Sequence, residues 1–299
     1  MYPPDWSRPW WQDWRTWAEP AWSEWQTRAC NATPGEAVLP GVLNQVMQTS
    51  PVRFVPQAML TEGSSYERFI FDQRQVPTRE NLHDLFNACC WHRFPRTKLR
   101  LNALQAEVIG RDGVGATRGP LRDALTLFDE NVLLLQVSPE LWNALCEHDW
   151  HTLLVKYRSE WCATGLRQEG GACLDVGVSS EGTNSLQSTS SDSGTTSLNT
   201  TQLPIIRPVV FGHALLEKLC QPYKAITAHA FWVDPELPAT ESAWDAWLAD
   251  RLDASFMATK PFQPLPVLGI PGWSGDNADP SYYEDAQVFR PRPVRADRP

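Results

Sequence analysis

The sequence predicts an α+β fold, a single domain of mixed helices and short strands or hairpins with an irregular Pro- and aromatic-rich C-terminal wrap. Three observations predict it. Apolar residues recur at helical spacing in some segments, as at Leu82, Leu85, Phe86 and Cys89. In others they alternate or run without a break, as in AITAHAFWV and IIRPVVFG. The two kinds of segment do not follow one another as regular βαβ units, which argues against a doubly wound sheet.

The elements follow in order. Residues 1–28 form a Trp-rich arm in which Trp10, Trp14 and Trp17 share a helical face before Pro20 interrupts it. Its interleaved charges, Asp13, Arg15, Glu19 and Glu24, do not suit anionic lipid, so packing on the body of the protein is expected. Residues 29–167 make the first part of the domain. PVRFVPQ and YERFIFDQRQVP read as short extended segments. A helix opens near residue 79 and stops or kinks at Pro95, and a second, with Leu99, Leu101, Leu104 and Val108 apolar, runs to the glycines of GRDGVG. ALTLFDENVLLLQV reads as a β-hairpin turning at Asp129, Glu130 and Asn131. Ser138 and Pro139 start a helix as cap and first residue, and Asp149 caps another. Residues 168–203 are Ser, Thr and Gly with few large apolar side chains, the composition of a disordered insertion. Residues 204–293 complete the domain with a buried strand (IIRPVVFG), a short helix (HALLEKLC), a strand (AITAHAFWV) and a helix capped by Thr240. Residues 294–299 are expected to fray.

Composition limits the partners. The 299-residue chain carries a net charge of −9, so phosphate backbones are repelled and nucleic acid is a poor partner. No run approaches the roughly 20 apolar residues that span a bilayer. The opening MYPPDWSRPWWQDW has neither the basic nor the aliphatic part of a secretory signal. The seven cysteines include no CxxC pair, which points away from a disulfide framework or zinc ribbon and toward a reducing cytoplasm.

Three stretches hold candidate chemistry. In NLHDLFNACCWHRFPRTKLRLN, His83, Asp84 and Asn87 share a helical face near the start of a helix. Asp84 suits the helix dipole on structural grounds alone. His83 does not, and the neutral imidazole favoured there is the form that accepts a proton or binds a metal. In FGHALLEK, His213 and Glu217 lie one turn apart after a strand and a glycine, a pair able to share a metal or to act as base and orienting carboxylate. His229 would complete a metal set with His213 and Glu217, or be a core histidine. In GPLRDALTLFDEN, Arg122 and Asp123 could be an ion pair or an anion clamp. Imidazole with carboxylate suits zinc, iron or manganese. Cys89 and Cys90 lie within a helix and Cys220 at a helix end that disfavours a thiolate, so a cysteine hydrolase is not expected. GxSxG, GxxxxGK[ST] and HExxH are missing from the chain, and GRDGVGATRG follows a helix rather than a strand.

Four stretches, NLHDLFNACCWHRFPRTKLRLNALQAEVIG, RGPLRDALTLFDEN, VVFGHALLEKLCQPYKAITAH and VLGIPGW…YYEDAQVFRPRP, resemble a bacterial, largely proteobacterial family known as domain of unknown function 3025. The resemblance covers most of residues 50–167 and 205–293. It implies no reaction, cofactor or residue role, but it places the candidate polar groups inside shared signature stretches.

Two functions are expected from the residues. One is a metal-dependent or acid–base enzyme, hydrolase-like, on a small molecule, with His83, Asp84, Asn87, Asp123 and Glu217 in the chemistry. The other is a non-catalytic binding or scaffold protein working through its Trp-rich arm and Pro-rich tail. Convergence of His83, His213 and His229 discriminates them.

Overall fold

The computed structural model describes residues 3–113, 119–161 and 206–292. The insertion expected at 168–203 and the tail at 294–299 lie outside the described residues. In chain order the elements are α1 (Arg15–Ala29), α2 (Leu39–Val46), β1 (Arg53–Pro56), α3 (Tyr66–Gln73), β2 (Gln75–Thr78), α4 (Leu82–Arg93), α5 (Pro95–Asp112), α6 (Pro120–Asn131), β3 (Val132–Gln136), α7 (Pro139–Cys146), β4 (Arg207–Val210), α8 (His213–Lys218), β5 (Thr227–Val233), α9 (Glu241–Arg251), α10 (Ala254–Ala258) and β6 (Gln263–Pro266). A π-helical turn, His151–Lys156, follows α7 with Asp149 capping Thr152 N–H at 3.0 Å. The fold is α+β.

The main sheet has the order β4-β3-β5-β6. Its central pair, β3 and β5, is parallel, with Leu134 opposite Phe231, and both outer strands run antiparallel to their neighbours. All five residues of β3 are buried, so the strand is covered on both faces and reads as an unbroken apolar run. A second, two-stranded parallel sheet pairs β1 with β2 and leads directly into α4.

The arm is part of the core. Trp14, Ala18, Ala21 and Trp25 bury one face of α1, and Trp10 and Trp11 are buried on the turn before it. Trp11 stacks on Phe86 of α4 with ring centroids 5.2 Å apart. The Trp14 indole N–H donates to the Val210 carbonyl at 3.0 Å. Pro20 does not interrupt α1, which runs through it. The backbone bond lost at Pro20 is outweighed by the apolar face on either side of it.

Two other expectations are corrected. YERFIFDQ is helical, not extended: Ser65 caps Arg68 N–H at 3.3 Å, and Tyr66, Phe69 and Ile70 lie on one face. Its aromatic and β-branched residues mimic a strand, but burial at helical spacing decides the outcome. Asp129, Glu130 and Asn131 are the last turn of α6, not a hairpin turn. Leu121, Ala124, Leu125 and Phe128 give that helix its face, and Val132 passes into β3 with no intervening loop, which is what made the junction resemble a turn.

One close approach positions α8. The N–H groups of Phe211 and Gly212 both donate to the Val132 carbonyl, at 3.0 and 2.9 Å. Gly212 lies so near the end of α6 that a Cβ on it would fall 2.4 Å from the Glu130 carbonyl oxygen. Only glycine lets the chain pass here, and the next residue is His213.

Candidate functional site

A cavity of about 330 Å³ opens where α3, α4, α5, α6 and α8 meet. That is near the lower end of the range for small-molecule sites. Asn81 starts its central wall by accepting Asp84 N–H at 2.8 Å, which fixes α4 directly after β2. His83, Asp84 and Asn87 then line the cavity from α4, and His213 lines it from α8.

His83 is the hub. Its Nδ1–H donates to the Glu217 carboxylate at 3.0 Å. Its Nε2 lies 3.0 Å from Nε2 of His213, with the rings edge to face. One proton must lie between those two nitrogens. With His83 neutral and its Nδ1–H on Glu217, the donor is His213 Nε2–H. The remaining His213 Nδ1 is buried with no hydrogen-bond partner and faces Asp129 Oδ1 at 4.0 Å. Glu217 comes from one turn further along α8 than His213, so the i, i+4 pair on one helix grips a single imidazole on another.

Behind the histidines lies a buried ionic pair. Lys98, 3% exposed, contacts the Asp129 carboxylate, donates to Asn87 Oδ1 at 2.8 Å, and lies 5.3 Å from the Trp91 ring centroid. Asn87 Nδ2 donates to the Tyr66 hydroxyl at 3.2 Å. Burial alone would raise the Asp129 carboxyl, but Lys98 and the two histidines hold it below its ordinary value. Burial drives His213 down to about 3, with Asp129 opposing and Lys98 and His83 reinforcing the shift. Burial raises the Tyr66 hydroxyl. It also pushes the Cys90 and Cys220 thiols up to about 12, which removes both as nucleophiles.

The His213 shift has a testable consequence. The unfolded chain takes up this proton below about pH 6.5, whereas the folded chain refuses it until about pH 3. Stability therefore falls on acidification through that window. We expect a loss of about 1.5 kcal/mol between about pH 6.5 and about pH 5 from this group alone. His92 and His229, also lowered by burial, act in the same direction. Urea melts at the two pH values measure it, and a stability that holds steady or rises toward pH 5 contradicts the assignment.

Not every candidate converges. His229, on β5, has its ring against Phe262, with centroids 5.9 Å apart, and its charged neighbours are Lys218, Asp123 and Lys260. His229 does not line the cavity, and the set His213, Glu217 and His229 is not assembled. Among the described residues no group of three or more His, Cys, Asp or Glu is disposed to hold a metal ion. Asp123 forms an exposed pair with Lys260 and does not line the cavity. Arg122 approaches Glu67 at 3.7 Å rather than clamping an anion with Asp123. Asp84 is buried and brackets Arg79, accepting from its backbone N–H at 2.6 Å and from its guanidinium at 2.9 Å.

Sequence reasoning passed over Tyr66, Arg79, Lys98, Asn102, Gln105 and Asp129, all of which line the cavity. A signal existed for three of them. Lys98, Asn102 and Gln105 recur at i, i+4 and i+7 along α5, a polar stripe on the buried side of the helix.

A family model described as "Protein of unknown function (DUF3025)" matches residues 52–183 and 199–293. Neither the curated proteins nor the solved structures yield a match. The matched span takes in every residue lining the cavity and leaves out the Trp-rich arm. With most of its length inside that match, the chain belongs to the DUF3025 family of proteins of unknown function.

Proposed function

We propose that the chain is an acid–base enzyme, hydrolase-like, acting on a small molecule in this cavity. The observation that carries the reading is the carboxylate–imidazole–imidazole chain from Glu217 through His83 to His213. His83 takes the proton. Its ring is partly exposed to the cavity, and Glu217 both fixes its orientation and balances the imidazolium that forms. His213, held neutral by burial, donates its Nε2–H to His83 Nε2, and the substrate's proton displaces that bond when His83 accepts it. Lys98 and Asp129 keep the polar floor rigid.

Two imidazoles alone are a weak metal site, so the reading does not route the reaction through zinc, iron or manganese. The scaffold alternative draws less support, because Trp10, Trp11, Trp14 and Trp25 of the arm are buried. The free thiols of Cys30, Cys89, Cys90, Cys146 and Cys220 support a cytoplasmic setting, and the family resemblance supports a bacterial one. Among the described residues no helix is long and apolar enough to cross a membrane.

The test is turnover of a panel of p-nitrophenyl esters, phosphates and glycosides by the full chain. We expect His83→Gln and Glu217→Gln each to lower any observed rate about a hundredfold, the low end for a general base. Equal rates in the variants, or no turnover across the panel, overturn the reading.

A further inference from the structure

The charges around the cavity do not suit an anionic ligand. Glu67, Asp84, Asp129 and Glu130 line it and Glu217 reaches it through His83, while the permanent cations nearby are Arg79, Lys98 and Arg122. Each of those cations already faces a carboxylate. Arg79 is held by Asp84 at 2.9 Å, Lys98 by Asp129, and Arg122 approaches Glu67 at 3.7 Å. Glu130 is in no ion pair among the described residues. The balance is negative even before a ligand enters.

A second observation is independent of charge. Asn102 is 3% exposed and lines the cavity. Its Nδ2 donates to the Glu67 carbonyl at 2.7 Å, while its Oδ1 is buried and accepts from no donor among the described residues. Buried amide oxygens are nearly always paired, so an unpaired one on a residue that lines the cavity calls for a donor from a ligand. Tyr66, the neighbour of Glu67 on α3, adds a hydroxyl to the same wall.

We propose that the cavity takes a small molecule bearing a protonated amine, its N–H groups directed to Asn102 Oδ1 and the Glu67 carboxylate, with its reacting end toward His83. This deepens the acid–base reading and rests on the same cavity. An ammonium supplies the missing donor and offsets the excess of carboxylate, which a hydroxyl or a carboxylate of the same shape does not. Arg122 beside Glu67 sets a limit: the ammonium has to compete with a guanidinium at 3.7 Å rather than with a closed bidentate pair.

The experiment is a ligand-observed NMR panel of primary amines, alcohols and carboxylates built on the same carbon skeletons, run on the full chain. Amines should bind, and their alcohol and carboxylate counterparts should not. Glu67→Gln and Asn102→Leu should each weaken the amines about tenfold, the value of one hydrogen bond to a charged group. Glu130→Gln, at a half-buried position that holds no ion pair, gives a smaller loss in the same direction and serves if either other variant fails to fold. Preference for carboxylates, no binding by amines, or amine binding unchanged in all three variants overturns the proposal. His83→Gln separates the two readings: amine binding that persists in this variant with unaltered turnover removes the acid–base assignment and leaves the ligand class standing.

Discussion

Asp129→Ala is expected to destabilise the fold by about 3 kcal/mol. The change strands the ammonium of Lys98, which is 3% exposed, without a counter-charge. Removing one partner of a buried pair costs about 3–5 kcal/mol, and the partial exposure of Asp129 places this case at the lower end. Asn87 and the Trp91 ring remain beside Lys98, but neither carries a charge. The double variant Lys98→Met with Asp129→Leu should recover most of the loss, because apolar residues of similar volume replace a desolvated pair at little net cost. Urea melts of the two singles and the double give the coupling directly. A single Asp129→Ala variant within about 1 kcal/mol of the parent would mean that water reaches Lys98 and that the pair is not structural.

Gly212→Ala is expected to cost about 3 kcal/mol or more, beyond the usual range for an added methyl. The added carbon meets backbone on both sides of the Glu130–Asn131 peptide, at 2.4 and 2.5 Å, and neither side can swing away as a side chain would. Relief requires β4 and α8 to back off from the end of α6. That motion carries His213 away from His83 and Asp129, so the imidazole contact should be lost along with stability. Gly41→Ala is the control. Gly41 lies within α2 with nothing within 4 Å of the added carbon, and there alanine should stabilise by about 0.5–1 kcal/mol. Thermal melts of both variants decide the matter, and a Gly212→Ala chain as stable as the parent would show that this junction yields.

Why some of this was legible in the sequence and some was not has a physical answer. Helix α4 declared itself by its apolar period and the proline after it, and the residues it carries into the cavity, His83, Asp84 and Asn87, came with it. Glycine before His213 marked the strand–helix junction, and Glu217 followed from helical spacing. What the sequence hid was partnership across 130 positions: nothing local says that His213 meets His83, or that His229 does not. Asp129 was hidden for another reason. Acidic and amide residues before an apolar run look alike whether they end a helix or turn a hairpin, and only the packing of Leu125 and Phe128 separates the two. Lys98 gave no local signal of its partner, because a buried lysine is rare and its counter-ion lies on another helix.

The hydrogen bond from Trp14 to Val210 does more than anchor the arm. Among the described residues β4 and β6 are the two outer strands of the main sheet, and unpaired backbone groups on an outer strand invite a strand from another molecule. On β6, Pro264 and Pro266 remove two of the donors that such a strand would need. On β4, Pro208 removes one, and the indole of Trp14 occupies a carbonyl at the strand's end. The N-terminal segment thus covers part of the β4 edge through Trp14, a duty separate from any chemistry in the cavity and one that falls outside the family-matched span.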